Sequence, residues 1–151
     1  MSYERYTDMV TQLCGVVGIP DANAVLQRGA VEIEGYEVML SHFESDQGAM
    51  YMNMHFGIVT AGRTLRVFRL LLEANITIYA QDQAQVGLNP DTGGVLLIVR
   101  IPMTDEVDGA WLADTFNHYV EHAKYWRESI VEATDEMFEG VCSGEFMWVR
   151  A

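Results

Sequence analysis

The sequence predicts a single-domain α+β protein whose elements run helix, three strands, helix, two strands, helix. Three observations carry this. Apolar residues recur at three- and four-residue steps near the start, in the middle and toward the end of the chain. They alternate with polar residues strictly over Val31 to Glu34 and at a two-residue step in the later segments up to Phe56. A run that is apolar but for Arg100, Val95 to Ile101, is bounded by turn residues on one side and Pro102 on the other. The 151 residues suffice for one buried core. The domain is taken as 1–151, with a core of about 3–137 and a tail, 138–151, that the pattern leaves unassigned.

The first helix is expected over Tyr3 to Gly18, where Tyr6, Met9, Val10, Leu13 and Val17 form one stripe. Gly18-Ile19-Pro20-Asp21 stops it, because proline disfavours helix at the preceding residue. Asp21 to Gly29 reads as a loop or a short helical turn. Val31 to Glu34 then alternates, Gly35 breaks the pattern, and Tyr36 to Glu44 resumes it. Ser45-Asp46-Gln47-Gly48 has turn composition, and Met50, Met52, Met54 and Phe56 face one way on a third strand. Connections this short require antiparallel neighbours. Val38, Leu40, Met52, Met54 and Phe56 are the expected core of this sheet, while Met39, Phe43 and Tyr51 fall on its opposite face.

The second helix is expected over Thr60 to Asn75, with Thr60 as cap and Arg63, Arg66 and Arg69 as a polar ridge. Leu65, Phe68 and Leu72 make one stripe, and Val67, Leu70, Leu71 and Ala74 widen it well past the ~100° of an ordinary amphipathic helix. A helix apolar over most of its circumference needs cover on two sides, and in so small a domain the second cover is another subunit. Ile76 to Ala80 is expected to extend, Ala84 to Asn89 to form a strand, and Asn89 to Gly94 a turn. The Val95 to Ile101 run, apolar but for Arg100, predicts a strand buried on both faces. The last helix is expected over Thr104 to Met137, its seam formed by Leu112, Phe116, Tyr119, Ala123, Trp126, Ile130, Ala133 and Met137.

Charge narrows the partners. Twenty-two acids against nine bases give a formal net charge of -13, a surface that repels phosphate backbones and makes nucleic acid a poor partner. No apolar run is long enough to span a membrane. Met1 to Tyr6 carries acidic and polar residues where a signal peptide has a basic start and an apolar stretch, which points to the cytosol. Cys14 and Cys142 match no metal or redox spacing and read as reduced cysteines in or near the core. Nine methionines, seven tyrosines, six phenylalanines and three tryptophans either fill a core or supply an adaptable protein-binding surface.

Catalytic chemistry finds little support. Gly93-Gly94 lacks the following helix of a phosphate loop, and no nucleophile elbow occurs. Asp114, His118 and His122 share one helical face and could converge on an ion, but the glutamate of a catalytic zinc helix is missing, so they read as a solvated strip. His42 and His55 read as half-buried strand residues. Neither a cofactor nor a metal is expected, and the chain reads as a binding protein, not an enzyme.

Leu70-Leu71-Leu72-Glu73-Ala74-Asn75-Ile76, then Val86-Gly87-Leu88-Asn89-Pro90-Asp91-Thr92-Gly93 and Val95-Leu96-Leu97, resemble the Tir-chaperone (CesT-type) family of class I type III secretion chaperones. Ala123-Lys124-Tyr125-Trp126-Arg127 is also similar, and the element order agrees from Tyr3 to about Met137. The resemblance implies a twisted antiparallel sheet flanked by helices, a homodimer built around the second helix and the strands after it, and a bacterial cytoplasmic protein. It implies a chaperone that binds an extended N-proximal segment of a virulence effector without ATP and hands it to the export apparatus. It places effector contacts at Tyr6, Met9, Val31, Ile33, Met39, Phe43 and Tyr51, and dimer contacts at Leu65, Phe68, Leu72, Val86 and Leu88. The alternatives are a ligand-binding or regulatory domain on the same scaffold with no secreted client, and a hydrolase or metal enzyme.

Overall fold

In a computed structural model, which describes residues 2–59 and 62–128 apart from the side chains of 80–82, the predicted order of elements is found with a short α-helix and a single 3-10 turn, Glu44–Asp46, added. Helices α1 (Ser2–Val17) and α2 (Ala22–Arg28) precede strands β1 (Ala30–Ile33), β2 (Tyr36–Ser41) and β3 (Ala49–Ile58). Helix α3 (Thr64–Asp82), strands β4 (Ala84–Leu88) and β5 (Gly94–Pro102), and helix α4 (Gly109–Trp126) follow. The five strands form one sheet in the order β1-β2-β3-β5-β4. Two compact units divide the chain: residues up to Asn53 with Arg100–Val120, and Met54–Val99 with residues from Glu121 onward. Their boundaries fall inside β3, β5 and α4, so the sheet belongs to both.

In the first unit, α1 buries Tyr6, Met9, Val10 and Leu13 of the predicted stripe together with Cys14, while Val17 at its end is only half-buried. Asp21 caps α2 by accepting from the Ala24 amide at 3.1 Å, and Gly29 ends it in the left-handed region, donating its N–H to the Val25 carbonyl. The β1–β2 hairpin turns through Glu34 and Gly35, both with positive φ (51° and 83°), as a two-residue type I′ turn requires. That turn pairs Val31 with Val38 and Glu32 with Glu37. Its register sends Val31, Ile33, Val38 and Leu40 inward and leaves Glu32, Glu37 and Met39 exposed.

The last helix starts later than the sequence pattern suggests. Thr104 to Asp108 form a turn, and Asp108 caps α4 by accepting from the Trp111 amide at 2.8 Å. Arg5 of α1 donates to the carbonyls of Thr104 at 2.9 Å and Val107 at 2.7 Å, which holds that turn in place. Gly109 then passes so close to α1 that a Cβ on it would meet the Gln12 backbone carbon at 2.6 Å and its oxygen at 2.7 Å. The seam of α4 is as predicted through its described length, with Leu112, Phe116, Tyr119, Ala123 and Trp126 all buried. Ile130, Ala133, Met137, Cys142 and the tail lie outside the described residues.

In the second unit, α3 runs to Asp82, through the Ile76 to Ala80 stretch expected to be extended. Gln83 ends it with φ 52°, its N–H donated to the Tyr79 carbonyl at 3.2 Å. Arg63 is buried just ahead of the helix and not part of an exposed ridge; the expected cap, Thr60, lies outside the described residues. Strand β5 buries Val95, Leu97 and Val99, whereas Leu96 and Ile98 are half-covered, so its second face is less enclosed than its composition implied. Trp126 stacks on Phe56 with centroids 5.7 Å apart. Arg127 donates to the carbonyls of Phe56 at 3.1 Å and His55 at 3.0 Å, clamping the end of α4 to β3.

The contact between α1 and the start of α4 gives a direct test. Gly109→Ala puts a methyl group into backbone that cannot move aside, and overpacking of this kind costs about 1–3 kcal/mol. Urea unfolding is expected to show that loss; an unchanged midpoint would mean that α1 and α4 separate freely.

Candidate functional site: two exposed apolar faces

The second unit presents one apolar face on α3. Leu65 (83% exposed), Leu72 (69%), Ile76 (78%) and Tyr79 (64%) follow one another at helical steps, with half-buried Phe68 among them. At 3.6 residues per turn this stripe is centred roughly 150° around the helix from the buried set Val67, Leu70, Leu71 and Ala74. The helix therefore covers its own side of the unit with one apolar face and offers solvent another.

Beside the stripe lies an open hollow of about 210 Å³ between Phe68, Leu71, Leu72 and Asn75 of α3 and Val86 to Leu88 of β4. Its one polar side chain is already engaged. Asn75 accepts from the Val86 amide at 2.7 Å and donates to the Val86 carbonyl at 3.1 Å. It satisfies both backbone groups of that residue as a neighbouring strand would, and closes part of the β4 edge. Leu88, at the far end of β4, is 47% exposed, whereas Val86 is buried at 6%.

Of the residues expected at a dimer contact, Leu65, Phe68, Leu72 and Leu88 thus share an accessible apolar surface and Val86 supports it from beneath. Ile76 and Tyr79 belong to the same face. They were hidden in the sequence by the expectation of an extended segment, although the four-residue step from Leu72 to Ile76 was the available signal.

The first unit presents a smaller face. Met39 is 46% and Phe43 48% exposed, and the half-buried Tyr51 lies edge-on to Phe43 with centroids 5.2 Å apart. The remaining residues expected to touch an effector are placed otherwise. Tyr6, Met9, Val31 and Ile33 are at most 6% exposed, because the α1 stripe and the Val31/Ile33 side of β1 both turn into the core. Tyr6 stacks on His42 at 5.4 Å, and burial pushes its hydroxyl pKa up. These four shape the unit from within and leave Met39, Phe43 and Tyr51 at the surface.

A polar lock holds that surface. Arg100 of β5 donates from Nε to Oδ2 of Asp46 at 2.6 Å and from its terminal nitrogen to Oδ1 at 2.9 Å, a two-point pairing. The Tyr51 hydroxyl donates to Oδ2 of the same carboxylate at 2.6 Å. The turn between β2 and β3 is thereby tied to β5, with the Tyr51 ring fixed against Phe43.

The Arg100 hydrogen bonds, followed by that of Tyr51, hold the Asp46 carboxyl at a pKa of about 2. Bonding to that carboxylate in turn raises the Tyr51 hydroxyl.

No metal site emerges from the predicted histidine strip. Among the described residues no three His, Cys, Asp or Glu side chains are grouped to hold an ion, and His118 lies against the Tyr119 ring at 5.1 Å. Cys14 is buried, which pushes its thiol up. No helix among the described residues is long and apolar enough to cross a membrane.

Because the folded-state pKa of Asp46 lies below the ~3.9 of an unfolded aspartate, the lock contributes stability above about pH 4 and loses it as pH falls through about 2. Asp46→Asn is expected to be less stable than the parent at pH 7, with the gap closing toward pH 2 in urea unfolding. A gap independent of pH would show that the carboxylate charge plays no part.

Comparison with known proteins agrees with this architecture. The model of the Tir chaperone protein (CesT) family matches residues 12–127. A chain in the crystal structure of the ExsC–ExsE complex has a TM-score of 0.64 at 17% identity, over 87% of this chain and 97% of its own. A chain in the HopA1–SchA chaperone–effector complex gives 0.62 at 13% identity, over 82% of this chain and 93% of its own. At these identities the two structures show a shared fold. A search of curated protein sequences gives no match. With the family model spanning most of the sequence and the fold in agreement, the chain belongs to the Tir chaperone protein (CesT) family.

Proposed function

We propose that this protein is a type III secretion chaperone that acts as a homodimer, holding an extended N-proximal segment of a secreted effector and releasing it to the export apparatus without ATP. Family membership supports the chaperone role, and the HopA1–SchA structure, a chaperone–effector complex with a similar fold, is consistent with it. The observation that carries the mode of action is that the chain exposes two separate apolar faces, one on α3 and one on Met39, Phe43 and Tyr51.

The α3 face suits a second copy. Burying a large aliphatic side chain contributes about 1.5–3 kcal/mol, so Leu65, Leu72 and Ile76 on two protomers supply on the order of 9–18 kcal/mol. That is comparable with the roughly 4–15 kcal/mol that association costs in lost freedom. Phe68 and Leu88 tip the balance toward the dimer. The face on Met39, Phe43 and Tyr51 suits a client segment. It has exposed apolar side chains of adaptable shape, already ordered by the Asp46 lock, so little freedom is lost when they are covered. Both faces are formed chiefly by exposed apolar side chains, which suits them to binding by contact.

The two assignments separate by mutation. When the chain is produced in its own bacterium and recovered with its client, Met39→Glu and Phe43→Glu are each expected to lower client retention at least about tenfold, or ~1.4 kcal/mol, with an unchanged dimer. Normal retention by both would remove the client from this face, and a co-purified small molecule without any secreted protein would support the ligand-binding alternative. Leu72→Glu is expected to raise the dimer dissociation constant by more than a hundredfold in light scattering. An unaffected dimer would place the subunit contact elsewhere.

A further inference from the structure

Beside the exposed Met39 the hairpin contains an arrangement that is unfavourable for the chain alone. Glu32 of β1 and Glu37 of β2 are direct cross-strand partners. Directly opposed residues of an antiparallel pair share a face with Cβ atoms about 4.5–5.5 Å apart, where like charges destabilise the pairing. Both side chains are exposed. The described ion pairs, Arg5 with Asp8, Arg69 with Glu73, Arg100 with Asp46 and Lys124 with Glu121, do not include Glu32 or Glu37. Met39 follows Glu37 by two residues and therefore points to the same side, about 7 Å further along β2. This open sheet face thus carries a double negative charge next to an apolar knob.

We infer that the client segment held on this face carries a lysine or arginine two residues from a large apolar side chain, the base meeting Glu32 and Glu37 while the apolar group packs on Met39. The inference rests on the client reading of this face and adds the chemistry the client must have. An extended segment repeats its side chains on one side every two residues, at the same ~7 Å step as the strand beneath it. A base so placed removes the Glu32–Glu37 repulsion and satisfies two carboxylates at once. The acid pair would therefore cost stability in the free chain and return it in the complex.

A phage library of random peptides, panned on the full chain, is the probe. Peptides selected by the parent protein are expected to show a Lys or Arg two positions from a Leu, Ile, Met or Phe, and to lose binding to Met39→Glu. Panning on Glu32→Gln/Glu37→Gln is expected to abolish that basic preference, and a parent-selected peptide should bind this variant about tenfold more weakly. The same variant should unfold at a higher urea midpoint than the parent.

Asp105→Asn/Glu106→Gln, which removes equal charge from exposed positions elsewhere in the unit, should keep the parental preference. Selected peptides that need Met39 but show no basic bias would overturn this inference and leave the client face standing. So would a bias equally lost in the Asp105/Glu106 variant. Peptides indifferent to Met39→Glu would overturn both.

Discussion

Helix α3 has more apolar surface than one unit can cover, and the molecular account turns on that constraint. Val67, Leu70, Leu71 and Ala74 are spent on the core of their own unit. Leu65, Leu72, Ile76 and Tyr79 point about 150° away and remain in solvent. A contiguous apolar stripe of this kind is rare on a protein that stays alone. Asn75 takes both hydrogen-bonding groups of Val86, so those polar atoms beside the hollow do not depend on water for a partner.

The face on Met39, Phe43 and Tyr51, proposed for the client, follows a different logic. Its apolar residues are few, and they are held by a polar device. Asp46 gathers Arg100 and the Tyr51 hydroxyl onto one carboxylate, fixing a turn that would otherwise be among the looser parts of the fold. Preorganisation of this sort lets a small surface bind usefully. The two faces thus differ in kind: one broad and aliphatic, suited to a permanent partner, the other small, ordered and bordered by charge.

Much of this was legible in the sequence. The helical seam from Leu112 to Trp126, the inward set Val38, Leu40, Met52, Met54 and Phe56, and the two-sided apolarity of α3 all follow from spacing alone, because burial imposes its period directly. The family motifs acquire physical meaning in the structure. Asn75 of the Leu-Glu-Ala-Asn stretch holds β4, while Trp126 and Arg127 fasten α4 to β3.

Other features were not legible. Ile76-Thr77-Ile78 is a run of β-branched residues, which locally favour extended chain, yet the helix continues through it to Asp82. Spacing showed that Met9, Val31 and Ile33 were apolar and on one face, but only the packed unit shows that this face is closed. The Asp46–Arg100 pair joins residues 54 positions apart, beyond the reach of any local pattern.

The central claim is that a second copy of the chain covers the α3 face. Sedimentation equilibrium of the unmodified protein across the micromolar range tests it most directly. The account predicts twice the 17.0-kDa chain mass at every loading; a single-chain mass throughout would contradict it.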